Sequence, residues 1–538
     1  MKKRFPSLTL SGLGIMGIAL TACSDPAKDP PPNILLILAD DMGYSDIGCY
    51  GSEIKTPNLD MLASQGVRFT QFYNASRCCP TRASLLTGLY QHQAGVGDMV
   101  SDLGYPSYQG YLNNRCATLA EALKLNGYNT YMSGKWHVGA KPEVHPLKRG
   151  FDRYFGLIDG GGSYFQRISY RNNQQAPRWM LDESDFDPPA GGFYMTDAIS
   201  DHAILFLNDE SGKNQPFFLY LAFTAPHWPL HALPEDIAKY RGKYMKGWDM
   251  LREERYQRMV KMGIIDASTK LSARDENSPD WETLTQDEKE MWDLRMAVYA
   301  AMIDRMDQGI GRVIDKLKIM GELDNTLIIF LSDNGGCHEA VKNQGNFIRT
   351  TGETGSPDSF DAYEIPWANA SNTPFRMFKH WVHEGGIATP LIAYYPEKAT
   401  GGKISRQPGH IIDIMPTLVE VAGGNYPETF NGNKIQPMEG ISLIPALKGK
   451  SLKRENPLFW EHEGNRAMRS GDWKLVSVYD NKAKKFKTWE LYNLKADHSE
   501  LTDLSDKYPE RTKQMIDQYN KWADRVGVVP KETLDQKR

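Results

Sequence analysis

The chain has 538 residues, 41% of them hydrophobic, and a formal net charge of −4. This is more than one typical domain, and enough apolar material for a sizeable core, as two domains or as one large α/β domain with an appendage. The near-neutral balance and the lack of a long basic stripe exclude nucleic acid as a partner.

Lys2, Lys3 and Arg4 precede a mostly apolar run from Leu8 to Leu20, too short for a comfortable membrane span, so the segment reads as an export signal. Leu20-Thr21-Ala22-Cys23 resembles a bacterial lipobox, with Cys23 as the lipidated first residue of the mature protein; an ordinary signal cleaved nearby is the alternative. The expectation is an exported bacterial protein, in the periplasm or on the outer membrane, that touches the membrane only through its lipid anchor. Residues 1–22 are then the signal peptide and the proline-rich stretch 23–32 a stiffened tether. Beyond Cys23, Cys49, Cys78, Cys79, Cys116 and Cys337 remain, an odd number that argues against a full disulfide framework and flags a free or modified thiol.

Asn33–Ala39 is a continuous apolar run, the pattern of a strand buried on both faces of a parallel sheet. Similar runs recur at Pro216–Phe223, Thr326–Leu331 and Pro390–Tyr395. Helical patterns intervene at Asn58–Gln65, Arg82–Leu89, Thr118–Leu125, Thr196–Leu207 and Gln286–Met320. The alternation predicts a mixed α/β sandwich over residues 33–424. Residues 236–284, charged and rich in Met and Trp, read as a helical insertion beside the site. Beyond Gly424, Trp460–Glu461, Arg466–Tyr479 with a turn at Gly471-Asp472, and Thr488–Leu494 predict a small antiparallel sheet, followed by a helix near Pro509–Val526. Residues 425–538 thus form a C-terminal α+β subdomain.

Two of the predicted strands end in acidic pairs, Asp40-Asp41 and Asp333-Asn334. Ligands of open α/β sheets gather beyond the carboxyl ends of strands, which places both pairs on one rim. An Asp-Asp pair after a strand is ordinarily a helix cap. The matching pair on a second strand favours a metal instead, and an oxygen-only set suits Ca²⁺ or Mg²⁺ rather than zinc.

Cys78-Cys79-Pro80-Thr81-Arg82, closed by Leu86-Thr87-Gly88, resembles the signature of the type I sulfatases. Asp40-Asp41-Met42-Gly43, Thr56-Pro57-Asn58-Leu59-Asp60, Gly134-Lys135-Trp136-His137, Ala225-Pro226-His227-Trp228-Pro229, Ser332-Asp333-Asn334-Gly335 and Glu384-Gly385-Gly386 match further motifs of that family in order. The layout is most similar to the bacterial arylsulfatases. The resemblance implies an alkaline-phosphatase-like fold, a mixed sheet sandwiched by helices, with the small C-terminal antiparallel sheet appended.

It also implies that a formylglycine-generating enzyme oxidises Cys78 to formylglycine, and that a single Ca²⁺ is held by Asp40, Asp41, Asp333, Asn334 and residue 78. A hydrated aldehyde suits this chemistry, since one hydroxyl attacks sulfur and the other loses its proton to re-form the carbonyl and expel sulfate without water attacking sulfur. By the same resemblance Arg82 contacts the oxygens of position 78, Lys135 contacts position 78 and a sulfate oxygen, His137 is the base for sulfate release, His227 serves the leaving oxygen, and Lys379 the leaving oxygen and the sulfate. Lys135 and His137 would point to the same side if their segment is extended, and Arg82 would lie one turn into a helix starting after the nucleophile.

His92, His145, His202, His410, His462 and His498 read as structural. His231, His380 and His383 are assigned to the substrate mouth, and Asp159–Gly162, Tyr164 and the insertion to the pocket wall. Two positions depart from the family pattern: Cys79, where a small Ser or Ala is usual, and Ile387-Ala388-Thr389-Pro390, where an Arg often follows the glycines. The expected substrate is a sulfate monoester, aryl or carbohydrate. The alternatives are a phosphonate monoester or phosphodiester hydrolase of the same superfamily and a lipoprotein that binds sulfated glycans without turnover.

Overall fold

The computed structural model describes residues 1–6, 31–169, 171–172, 174–210, 213, 215–341, 352–396, 399 and 401–537. The apolar run Leu8–Leu20, Cys23 and all but the end of the tether lie outside them. The main sheet is built from β1 (Asn33–Ala39), β2 (Val67–Tyr73), β3 (Asn129–Gly134), β4 (Arg153–Leu157), β5 (Trp179–Leu181), β6 (Ser184–Asp185), β7 (Phe217–Ala222), β8 (Thr326–Ser332), β9 (Ala388–Tyr394) and β10 (Lys403–Ser405). Their order is β10-β2-β9-β8-β1-β7-β3-β4-β5-β6.

The continuous apolar runs occupy the middle. Every residue of β1, β7 and β8 is buried, because helices cover the sheet and leave no face to water. These strands are parallel, with Leu36 in register between Tyr220 and Ile329. The run at Pro390–Tyr395, grouped by its pattern with the parallel strands, forms β9 and runs antiparallel to both β8 and β2. Burial on both faces produces the same apolar run whichever way a strand points, so pattern alone could not give its direction.

The helix Gln286–Met320 is 35 residues long and opens on a capping box between Thr285 and Glu288. It packs against the helix Met195–Asn208, which lies on β3 and β7. Segment 236–284, expected beside the site as part of the pocket wall, contributes no residue to the lining of the cavity there. Its main helix, Gly247–Met262, is pinned by Arg255 to Asp46 at 2.6 Å and to Glu53 at 2.9 Å. Among the described residues, no helix is long and apolar enough to cross a membrane.

The strands Leu458–His462, Asn465–Ser470, Trp473–Ser477 and Glu490–Asn493 make the expected small antiparallel sheet, with the turn at Gly471-Asp472. Buried charge ties it to the main sheet. Lys474 Nζ lies 2.7 Å from both Glu384 Oε1 and Glu500 Oε1, and Tyr73 donates to Glu384 Oε2 at 2.9 Å. Removing one member of such a group strands its partner without water. Lys474→Met should therefore lower stability by about 3–5 kcal/mol, read as a fall in melting temperature; an unchanged melting temperature would show that the pair does not fasten the subdomain.

Candidate active site

The carboxyl ends of β8, β1, β7 and β3 are neighbours that point the same way. The segments leaving these strands therefore converge on one rim. They carry Asp333-Asn334, Asp40-Asp41, His227, and Lys135 with His137. Since β9 runs the other way, the residues before it, Lys379 and Glu384-Gly385-Gly386, arrive at the same rim. β2, antiparallel to β9, delivers the helix Cys78–Thr87 there. The structure thus brings the residues assigned to the metal and to the reaction onto one rim.

The helix begins at Cys78 itself rather than after it, and Pro80 sits in its first turn, where a missing N–H costs nothing. Residue 78 is consequently at the end of the helix that favours anions, with Arg82 one turn on. The Lys135–His137 segment is not extended as expected. His137 has φ +54°, so the chain turns there. Asp41 (φ +67°), Ser76 (φ +63°) and His380 (φ +84°) are also left-handed, a costly backbone state for such residues that clusters here around the rim.

The charges interlock. Arg82 donates from Nη2 and Nε to Asp333 Oδ2 at 2.8 and 3.2 Å and from Nη1 to the Lys135 carbonyl at 2.9 Å. Lys135 Nζ donates to Asp40 Oδ2 at 2.5 Å. Lys379 Nζ and Asn334 Nδ2 donate to Asp41 at 2.9 and 2.6 Å. His227 places Nε2 3.5 Å from Asp41 Oδ2, while its Nδ1 donates to the Trp228 carbonyl at 2.6 Å. Burial pulls His227 down to about 4, against the Asp41 charge that favours the protonated ring. Burial likewise lowers His137. The Cys78 thiol is held well below its ordinary value, first by a hydrogen bond from Cys79 and then by the charges of Lys135 and His137.

The donor set fits a hard divalent cation. Asp40 Oδ1 and Asn334 Oδ1 are fully buried and have no hydrogen-bond partner among the described residues. Such acceptors are expensive to leave unpaired and are explained by an ion. Burial raises both Asp40 and Asp333, aided by the Asp41 charge at Asp40 and by the Asp40 charge at Asp333, which a cation among them would reverse.

A cavity of about 510 Å³ opens above Cys78, within the usual range for a small-molecule site. His137, His227 and Lys379 line its floor, and Trp228, Phe360, Arg77 and Glu339 contribute to its wall. Sequence reasoning did not single out Arg77, Glu339 or Phe360, and took Trp228 only as part of the His227 motif. Glu339 joins several of them: it accepts from Trp228 Nε1 at 2.7 Å and from Arg77 at 3.4 Å, and lies 3.8 Å from Lys379 Nζ.

His231 and His383 do not line the mouth as expected. Both are buried, bonded to the Ser359 carbonyl and to Glu490. His380 sits one layer behind the wall, between Glu339 and Glu463. Tyr164 is buried and acts through the His227 loop, donating to the Thr224 and His227 carbonyls. At the departure Ile387–Pro390, Thr389 accepts from the Ser332 amide, a packing contact within the sheet.

The glycines of Asp159–Gly162 are fitted to the two histidines. A Cβ on Gly160 would lie 2.6 Å from the His137 ring, and one on Gly161 3.2 Å from that of His227. Gly160→Ala must push the His137 ring aside. We expect kcat to fall about 10²-fold with the fold retained, as for other small misplacements of reacting groups; normal turnover would mean the ring has room to spare.

The sulfatase family model matches residues 32–424, and the model described as N-sulphoglucosamine sulphohydrolase, C-terminal, matches residues 375–524. An uncharacterized sulfatase of Schizosaccharomyces pombe is 39% identical over 530 residues, covering 94% of this chain and 95% of the relative. An arylsulfatase of Klebsiella aerogenes is 36% identical over 447 residues, 80% of this chain and 95% of the relative. Among solved structures, Ps i-CgsB in complex with k-i-k-neocarrahexaose superposes with a TM-score of 0.68 at 28% identity, over 92% of this chain and 93% of that one. The phosphonate monoester hydrolase of Agrobacterium radiobacter, at TM-score 0.55 and 19% identity over 92% and 96% of the two chains, shares the fold.

Proposed function

Since this chain belongs to the sulfatase family and is a sulfuric ester hydrolase, we propose that its nucleophile is residue 78, oxidised from cysteine to formylglycine by a maturation enzyme. The observation that carries the reading is the placement of Cys78. It stands at a helix N-terminus on the cavity floor, within one rim of Lys135, His137, His227, Lys379 and the oxygen cluster. One hydroxyl of the hydrated aldehyde attacks sulfur in line with the leaving alcohol, and a sulfate ester forms on residue 78. His137 takes the proton from the second hydroxyl, the carbonyl re-forms and sulfate leaves. Arg82 and Lys135 hold the oxygens of residue 78 and the sulfate. Lys379 and His227 stabilise the leaving oxygen.

Asp40, Asp41, Asp333 and Asn334, with residue 78, would hold Ca²⁺. A site supplied chiefly by protein oxygens suits it better than Mg²⁺, which keeps its own water. When bound, the cation polarises the sulfate and keeps the nucleophile's oxygen deprotonated.

For the substrate we favour a sulfated carbohydrate over a simple aryl sulfate. The cavity is lined by Gln174, Gln175 and Arg178 as well as by Trp228 and Phe360, a mixture suited to a sugar's hydroxyls and its apolar face. We read the chain as exported and anchored through Cys23, which lipid labelling at that cysteine tests. The fission-yeast relative shows that the architecture is not confined to bacteria, so this reading rests on the N-terminal segment alone. Domain limits of 33–424 and 425–538 complete the proposal.

The test is turnover of nitrophenyl sulfate against a nitrophenyl phosphodiester. Preference for the sulfate supports the reading, and preference for the phosphodiester would move the chain to the phosphonate and phosphodiester hydrolases.

A further inference from the structure

Cys78 has soft neighbours as well as hard ones. The residue after it is also a cysteine, and the helical start of the segment turns both thiols toward His137. One donor atom from each of Cys78, Cys79 and His137 lies within 4.8 Å of the others, and all of these residues are buried. Cys79 Sγ is 3.4 Å from His137 Nε2. In a tetrahedral site with Zn–S of about 2.3 Å and Zn–N of about 2.0–2.1 Å, sulfur and nitrogen on one ion are separated by about 3.6 Å. Cys79 and His137 therefore already stand close to the spacing of shared ligands, with a Cys78 donor within 4.8 Å of both. Cys78 and His137 also line the cavity, which gives a cation a way in and leaves its fourth position facing open space, as in other sites of the Cys₂His type.

We propose that the chain whose Cys78 is still a thiol binds one Zn²⁺ through Cys78 Sγ, Cys79 Sγ and a ring nitrogen of His137. The thiols release their protons to solvent on binding, and no electrons are transferred. The thiolate and imidazole set selects a soft cation, whereas the neighbouring carboxylates and amide select a hard one, so Ca²⁺ does not compete for it. That conversion of Cys78 would abolish the site rests on the nucleophile reading above; the binding itself does not.

The test uses full-length chain produced without maturation, with the Cys78 thiol confirmed by mass. Zn²⁺ is added to metal-free protein and its binding followed by competition with a chromophoric chelator, and Co²⁺ serves as the spectroscopic substitute. The expected result is one Zn²⁺ per chain, undiminished by excess Ca²⁺, and a thiolate-to-cobalt charge-transfer band. Cys79→Ser should weaken binding by more than about 100-fold, beyond what loss of an outer-shell partner causes, while Cys116→Ser leaves it unchanged. Absence of the band in the unmodified chain overturns the proposal without reference to any variant, as does full affinity in Cys79→Ser.

Discussion

Replacing Cys78 with alanine is expected to reduce turnover of nitrophenyl sulfate by about 10⁴–10⁶-fold, the scale seen when a covalent nucleophile is removed, with the melting temperature little changed. The loss is so large because no other group on the rim can replace it. Lys135, Arg82 and Lys379 are engaged with Asp40, Asp333 and Asp41, and Cys79 is buried away from the cavity lining. The fold stays intact because alanine is a better helix former and the substitution opens a space next to an existing cavity. Turnover within tenfold of the matured enzyme with its native residue 78 would refute the nucleophile.

Asp333→Asn should have the second largest effect. It keeps the shape of the side chain but removes a charge on which two things depend. Asp333 Oδ2 receives both Arg82 donors, and Oδ1 receives the Asp41 amide at 3.2 Å, which holds the two acidic pairs together. With the charge gone, Arg82 is buried beside a weaker partner and the cation loses a carboxylate. Bound calcium should fall well below one per chain, and kcat by about 10²–10³-fold, the usual cost of losing a preorganised electrostatic contact. Full calcium content with normal turnover would remove Asp333 from the ligand set.

Some of this architecture is legible in the chain and some is not, depending on what each signal encodes. β1, β7 and β8 are legible because strands buried on both faces are written as unbroken apolar runs. β2, with polar Arg68 and Gln71 among its residues, and the short β4, β5 and β6 carry no such run. The residues proposed to react are visible in the chain because they stand in motifs of fixed types at fixed spacings. The cavity wall is not: Arg77, Glu339 and Trp228 meet across more than a hundred residues of chain, and only the folded sheet makes them neighbours. Gly160 shows the intermediate case. A run of glycines is visible, but its purpose, room for the His137 ring, is a statement about another segment. His231 and His383 fail for the complementary reason. A histidine near a motif in sequence can still point into the core, and both find buried partners there.

Arg77 and Arg82 frame a tryptic peptide, Cys78 to Arg82, that contains the whole question. Its mass should be measured on enzyme purified with full activity. We expect it about 18 mass units below that of the thiol, sulfur and two hydrogens having given way to oxygen, with the converted fraction tracking turnover across preparations. Fully active enzyme whose peptide retains the unaltered thiol would contradict the account.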